Sequence, residues 1–557
     1  MMAPRPSPEP PPSGAPASAW APLGRGVFRS LWLGALAANI AQWVQNAVGS
    51  WDMTSFGTAP IYVALLQTMS GLPVLLVGLP AAAFADLFDR RRLLRGFAAW
   101  MAVVSAALAV LSFLGLLGPV ALLALTFALG LGAALSAPMW QSVLPSLVPP
   151  AELASAVTLS GVAINIARAV GPAIGGLGVA LAGSGAVYTF NALAFLVVVV
   201  QVHRWRPEAP ARPRLAPERV AGAMVAGLRF AAHAPALRAV IARAAAFIVC
   251  GSALWALLPV IARGELHMTP LEFGALLGCV GAGALLGAAR MPGLRARFGP
   301  DRLVVGASVV YAATMATLGL VRTPPVLYAA MLATGVAWIC VMSSLNVAAA
   351  SAAPPWVRAR ALGLYLLVFQ GGLAFGSLGW GALAGRLGSP TTLALAAAGL
   401  LLGATSAVRW RLGDAKQDDV KPWAAWPEPT LVGPVEDDAG PVLIVRRHRV
   451  PAAHRGEFLK LSRELEALRR RDGASEWALY EDVAADGEFV ETFALASWSE
   501  HQRQHARAVV ADKRLLDRLA ALSGDGGVHH LVDAHALAAA RARGVELHAH
   551  SHPPEPR

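Results

Sequence analysis

Charge is scarce in this sequence: Asp, Glu, Lys and Arg make up 14% of its 557 residues, against roughly 25% in an ordinary soluble protein. Lysine is scarcer still. Lys416, Lys421, Lys460 and Lys513 are the only ones, and none is followed by Ser or Thr. A phosphate-cradling GxxxxGK[ST] loop is therefore absent, which excludes ATP hydrolysis by that motif. Cys250, Cys279 and Cys340 all fall in apolar runs, so they read as core packing and imply no disulfide framework. The opening "MMAPRPSPEPPPSGAPASAW" lacks the apolar centre of a secretory signal. It reads as a disordered cytoplasmic tail over 1–27.

What the chain has in abundance is apolar length, with 56% hydrophobic residues. Runs long enough to cross a bilayer, about 20 residues each, follow one another from Phe28 to Arg409. They predict twelve spans, at 28–51, 60–84, 93–115, 119–141, 155–182, 184–203, 237–262, 271–293, 303–321, 324–350, 359–384 and 390–409. The net charge of +12 is spread over alternate loops: "DRRRLLR" (89–95), 204–238, "RARFGPDR" (295–302) and "RAR" (358–360). The opposite loops hold Arg263, Arg322 and Arg386. This positive-inside asymmetry predicts a cytoplasmic (inner) membrane protein with both termini in the cytoplasm. Charge dispersed in this way argues against a nucleic-acid surface.

An internal repeat organises the spans. A shift of 205 residues sets "PPAELASA" (149–156) over "PPWVRARA" (354–361), Asn165 over Gln370, Gly171 over Gly376 and Gly176 over Gly381. A shift of 210 sets "FDRRRLLRG" (88–96) over "FGPDRLVVG" (298–306). The expected architecture is an all-α membrane protein of two six-helix bundles, 28–203 and 237–411, joined by a basic linker at 204–236. A polar, Pro-rich linker (412–440) then leads to strand and helix patterns in β-α-β-β-α-β order over 441–540, the ferredoxin-like arrangement. A disordered tail, 541–557, follows.

Arg168 stands inside the fifth span, where a buried guanidinium costs about 2.5–3.5 kcal/mol on insertion scales. Its position predicts a site near the midplane facing a polar cavity, in contact with substrate or coupled to a proton site. Anchoring on carbonyls of a neighbouring helix is the structural alternative. Asn39, Gln42 and Asn46 share one face of the first span and, with Asn165 and Gln370, complete the expected translocation pathway. Gly171, Pro172, Gly175 and Gly176 predict a close, bendable helix contact between the halves. Asp52, at the outer end of the first span, is the candidate for proton coupling, with a hydrated interfacial carboxylate as the alternative. His501 and His505, four apart on a predicted helix, share a face, and the terminal "HAHSHPPEPR" is a second histidine-rich stretch. Neither carries a full metal-ligand pattern, so no cofactor or metal is expected.

Several stretches carry a family resemblance. "ADLFDRRRLL" (85–94) looks like the conserved cytoplasmic loop of the major facilitator superfamily, with Asp86, Arg90 and Arg91 at its acidic and basic positions. Ala82 and Asp89 stand where that motif usually has glycine, whereas the second-half copy keeps Gly299. Gly171 to Gly176 match the GPxxGG core of the superfamily's antiporter signature, with Gly161 approximating an upstream glycine. "PMWQSVLPSLVPPAELASAVTLSGVAINIARAVGP" (138–172), "RRRDGASEWALYEDV" (469–483) and "ETFALASWSEHQRQHAR" (491–507) resemble the enterobactin-exporter-like, or transmembrane secretion effector, branch.

The resemblance implies a proton-coupled secondary exporter of a small amphipathic molecule (siderophore, drug or secondary metabolite), not an enzyme, with Asp86, Arg90 and Arg91 as a cytoplasmic gate. The tail also resembles antibiotic-biosynthesis-type monooxygenase domains. That leaves open an anchored enzyme or sensor, and self-association through this domain.

Overall fold

The structure, a computed structural model, describes residues 20–87, 89–205, 220–412 and 439–535, together with Lys421, Trp423, Val435, Glu436, Leu537 and Ala538; side chains at 79–87, 150, 220–226 and 525 are outside it. The chain forms α1 (Gly26–Ser55), α2 (Pro60–Leu87), α3 (Arg90–Phe113), α4 (Pro119–Val143), α5 (Leu153–Arg204), α6 (Val220–His233), α7 (Pro235–Val260), α8 (Pro270–Leu320), α9 (Pro324–Ser351), α10 (Arg358–Leu387) and α11 (Ser389–Thr405). Helix starts follow local chemistry. Proline, whose missing N–H costs nothing in a first turn, opens α2, α4, α7, α8 and α9. Thr269 and Glu272 close a capping box on α8. Asp89 caps α3, its carboxylate accepting from the Arg91 and Arg92 amides at 2.9 and 3.2 Å. This accounts for an acid where a turn glycine was expected.

Among the described residues, nine helices are long and apolar enough to cross a membrane. The difference from the twelve expected spans has a local origin. α5 and α8, at 52 and 51 residues, are each about 75 Å long at 1.5 Å per residue, over twice the hydrocarbon thickness of ~30 Å. Each bends at a glycine in the left-handed region, Gly183 (φ 77°) and Gly299 (φ 70°), a conformation that side chains with a Cβ rarely adopt. Both bends fall where a loop was expected. α1 is not among the nine; it carries Asn39, Gln42, Gln45, Asn46 and Asp52.

α1–α5 pack around two apolar cores and α7–α11 around one. Trp51 and Ala64, from the first half, are buried in the second half's core. The halves meet closely away from the arginine-rich loops. A methyl on Gly176 would lie 2.4 Å from the Pro270 carbonyl oxygen, and one on Gly381 would lie 2.3 Å from Ala64 Cβ. Nearer mid-helix, Thr68 Oγ1 donates to the Ala374 carbonyl at 2.8 Å.

The C-terminal unit comprises β1 (Val442–Arg449), α12 (Arg455–Asp472), β2 (Glu476–Glu481), β3 (Glu488–Leu495), α13 (Trp498–Arg507), α14 (Val510–Leu522) and β4 (Gly524–Val532). Its strands form one antiparallel sheet in the order β2-β3-β1-β4. The second helix of the expected β-α-β-β-α-β order is broken at Ala508 and Val509, both extended. α6 touches α12 on one side and α7 and α10 on the other. The Arg507 guanidinium lies 4.9 Å over the Trp356 ring.

Candidate functional site

Between the two halves lies a cavity of about 790 Å³, within the range of small-molecule sites. The first half lines it with Trp43, Asn46 and Ser50 from α1, Gln67 and Ser70 from α2, and Asn165 and Arg168 from α5. The second half contributes Trp255 from α7, Phe273 from α8, Trp338, Ser343 and Asn346 from α9, and Tyr365, Phe369 and Gln370 from α10. Arg168 is the sole formally charged residue among these described lining residues. Its guanidinium lies 5.2 Å over the Trp43 ring, and its Nε is buried without a hydrogen-bond partner. Trp255, Trp338, Phe369 and Tyr365 touch in series, the first two pairs edge to face and the last tilted, with ring centroids 5.4, 5.8 and 6.5 Å apart.

The structure brings some of the sequence-derived residues together and leaves others apart. Asn46, Asn165, Arg168, Pro172 and Gln370 line the cavity, including the repeat-related pair Asn165 and Gln370. Asn39 and Gln42 are not among its lining residues; Asn39 donates to the Ala35 carbonyl of its own helix at 2.7 Å. Gln67, Ser70, Ser343 and Asn346 were missed, although each is a polar residue within an apolar span. The aromatic wall gave no sequence signal, because aromatics in a span ordinarily belong to the core.

The GPxxGG glycines divide their contacts. A Cβ on Gly171 or Gly175 would meet α1 (Trp43 Cβ at 2.6 Å, Val48 Cγ2 at 3.1 Å), whereas only Gly176 meets the other half, at Pro270 and Gly274. The close approach therefore serves packing within the first half as much as the junction. Asp52 is buried away from the cavity, accepting from Ser184 Oγ at 2.6 Å and Tyr188 OH at 2.7 Å. Beside it the Arg263 guanidinium covers the Trp51 ring at 4.8 Å.

At the arginine-rich end, Arg90 donates to the Ser142 carbonyl at 3.1 Å, and Arg91 to the carbonyls of Val202, at 3.1 Å, and His203. These contacts stay within the first half. The Asp86 side chain lies outside the described ones. In the second half Asp301, just past the Gly299 bend, accepts from buried Arg243 and, at 3.0 Å, from the Leu412 amide.

In the C-terminal unit His501 and His505 do face each other, ring centroids 4.5 Å apart, with His530 4.9 Å from His501. Burial, reinforced by His505 and His530, pushes His501 down to about 3. Among the described residues no group of three or more His, Cys, Asp and Glu is arranged to hold a metal ion. The terminal "HAHSHPPEPR" lies outside them. Glu491 is fully buried, and burial by itself would raise its carboxyl. Arg469, 2.9 Å away, with the Trp477 indole donating at 3.1 Å and the His448 ring 3.7 Å off, instead brings it down to about 2.

Comparison with known proteins agrees with this architecture. Residues 17–542 match the family described as transmembrane secretion effector. The Staphyloferrin A transporter of Staphylococcus aureus (strain NCTC 8325 / PS 47) is 26% identical over 162 residues, 29% of this chain. The chain thus spans about two fifths of that relative, 41% of its length. Among solved structures, a bacterial homolog of the human lysosomal transporter Spinster matches with a TM-score of 0.53 at 16% identity, over 70% of this chain and 98% of that one. The nucleoside transporter NupG, as a mutant, matches with a TM-score of 0.57 at 13% identity, over 69% of this chain and all of that one. At such identities the likeness concerns the fold alone, that of major facilitator transporters. These matches are to transporters and lend no support to an anchored enzyme.

Proposed function

The chain belongs to the transmembrane secretion effector family of major facilitator transporters, and on that premise we propose that it exports a small amphipathic molecule by alternating access, driven by a proton gradient. The observation that carries this reading is the cavity of about 790 Å³ lined by both halves, with Arg168 on one wall. Counting α5 and α8 twice for their bends, and adding α1, makes twelve crossings in two bundles of six. Positive-inside asymmetry supports a cytoplasmic membrane with the arginine-rich loops inside. The close contacts at Gly176 and Gly381 then seal the outer side, so that the cavity faces inward, ready to load. Similarity to the Staphyloferrin A transporter adds siderophores to the drugs and secondary metabolites in view. Asp52, buried against Ser184 and Tyr188 at the sealed end, is the residue we assign to proton coupling. The strand order β2-β3-β1-β4 supports a ferredoxin-like C-terminal domain.

Alternating access is tested by locking it. An ideal Cβ on Gly71 of α2 lies 3.8 Å from Ala374 Cβ of α10, matching the mean separation of ~3.8 Å across a disulfide. In the full chain with its three native cysteines replaced, Gly71→Cys with Ala374→Cys is expected to abolish export when oxidised and to restore it on reduction. Unimpaired export with the bond formed would rule out rocking of the halves. In everted vesicles, export that persists after collapse of the pH gradient would rule out proton drive while leaving transport standing.

A further inference from the structure

We propose that the cavity selects a monoanionic amphiphile: an acid head, such as a carboxylate, held by Arg168, and a flat apolar body laid against the aromatic wall of the second half. This assignment rests on the transporter reading and names the class of molecule carried. The argument begins with charge. Arg168 is the sole formal charge among the described lining residues, and a guanidinium keeps its proton in proteins. With no carboxylate among the described lining residues, the positive charge is left for the cargo to neutralise. Trp43 offsets part of the cost through its ring face, yet the buried Nε has no acceptor. A carboxylate supplies two acceptors in the geometry of the guanidinium fork. A cation would meet repulsion here and no countercharge. A dianion or polyphosphate would leave charge uncompensated at bilayer depth, where that is expensive.

Shape and polarity point the same way. The first half places Asn46, Gln67 and Asn165 on the same lining as Arg168, while Trp255, Trp338 and Phe369 of the second half form an aromatic surface whose rings meet edge to face. A molecule spanning the cavity therefore meets the guanidinium and amides on the first half and the aromatic cluster on the second, where Ser343, Asn346 and Gln370 add polar groups. The amides bind neutral groups near the acid and add no charge of their own.

The test uses the purified full chain in lipid nanodiscs and three isosteric probes: 2-naphthoate, its neutral amide 2-naphthamide and the cation 2-naphthylmethylammonium, with affinities measured by calorimetry. A charge-assisted bidentate contact is expected to favour naphthoate over the amide by about tenfold, with the cation weaker than both. Arg168→Gln, checked for unchanged thermal unfolding, should bring naphthoate to the affinity of the amide, and Arg168→Lys should keep part of the preference. Trp338→Ala should weaken acid and amide by the same factor. Equal affinity for all three probes, equal loss of acid and amide in Arg168→Gln, or no binding of any probe would overturn the assignment. Counterflow in proteoliposomes separates the two claims: selective binding without exchange leaves the ligand class standing and defeats transport, whereas exchange indifferent to charge does the reverse.

Discussion

At the scale of single residues, buried charges in this chain take two forms. Arg168 has no carboxylate beside it among the described lining residues of the cavity, whereas Arg469 in the C-terminal unit is locked to Glu491 with both side chains buried. Breaking such a pair strands a charge out of water, so Arg469→Ala is expected to destabilise that unit by about 3–5 kcal/mol, read by hydrogen exchange on the full chain. A methionine in its place should cost less, because it fills the volume and packs against Phe493, now under the guanidinium at 4.5 Å. The same residues set an acid limit. Glu491, at about 2, lies below its ordinary 4.5, and His501, at about 3, lies below its ordinary 6.5. In both cases the unfolded chain takes up the proton first as pH falls, so folding weakens with acidity. Exchange protection in the unit should decline from pH 6.5 down to about 2, and His501→Gln should lessen the part of the decline above 4.5, to which His530, also held down by burial, contributes as well.

At the scale of elements, small residues decide how near the helices come. The GPxxGG run was readable as a tight contact, but its sequence could not say with which helix, because that depends on how α5 is rotated about its axis. Gly171 and Gly175 admit α1, and Gly176 admits α8. Gly176→Val should therefore hold α5 and α8 apart at the sealed end while leaving the α1 contact intact. The expected result is an outer side reactive to membrane-impermeant thiol reagents at a reporter cysteine on Phe273, with export reduced by at least about tenfold. An unreactive reporter would place the seal elsewhere.

For the whole molecule, the C-terminal unit rests on the second half through α6 and the Arg507–Trp356 contact. Arg507 is also held by Glu500 Oε1 and the Asp472 carbonyl, both at 2.6 Å, so its guanidinium is fixed before it meets the ring. Such a contact is worth about 0.5–2 kcal/mol. Trp356→Ala should raise hydrogen exchange in α6 and α13 without altering exchange in the buried strand β3. Unchanged exchange in α6 and α13 would mean that the contact contributes nothing to docking. The described residues that line the cavity all belong to the two helical halves, so deletion of the unit tests its role separately from the cavity.

Lipid solvation, the duplicated halves, the side on which arginines gather, the site of each glycine bend and the buried guanidinium were all legible in the chain itself. Each follows from hydropathy, charge or backbone freedom summed over a short window. Tertiary structure alone decided that Asn46 lines the cavity while Asn39 bonds to its own helix, that Asp52 is sealed by Ser184 and Tyr188, and that scattered tryptophans form one wall. Those outcomes depend on the rotation and depth of helices distant in sequence, and a single helix's periodicity leaves both undetermined.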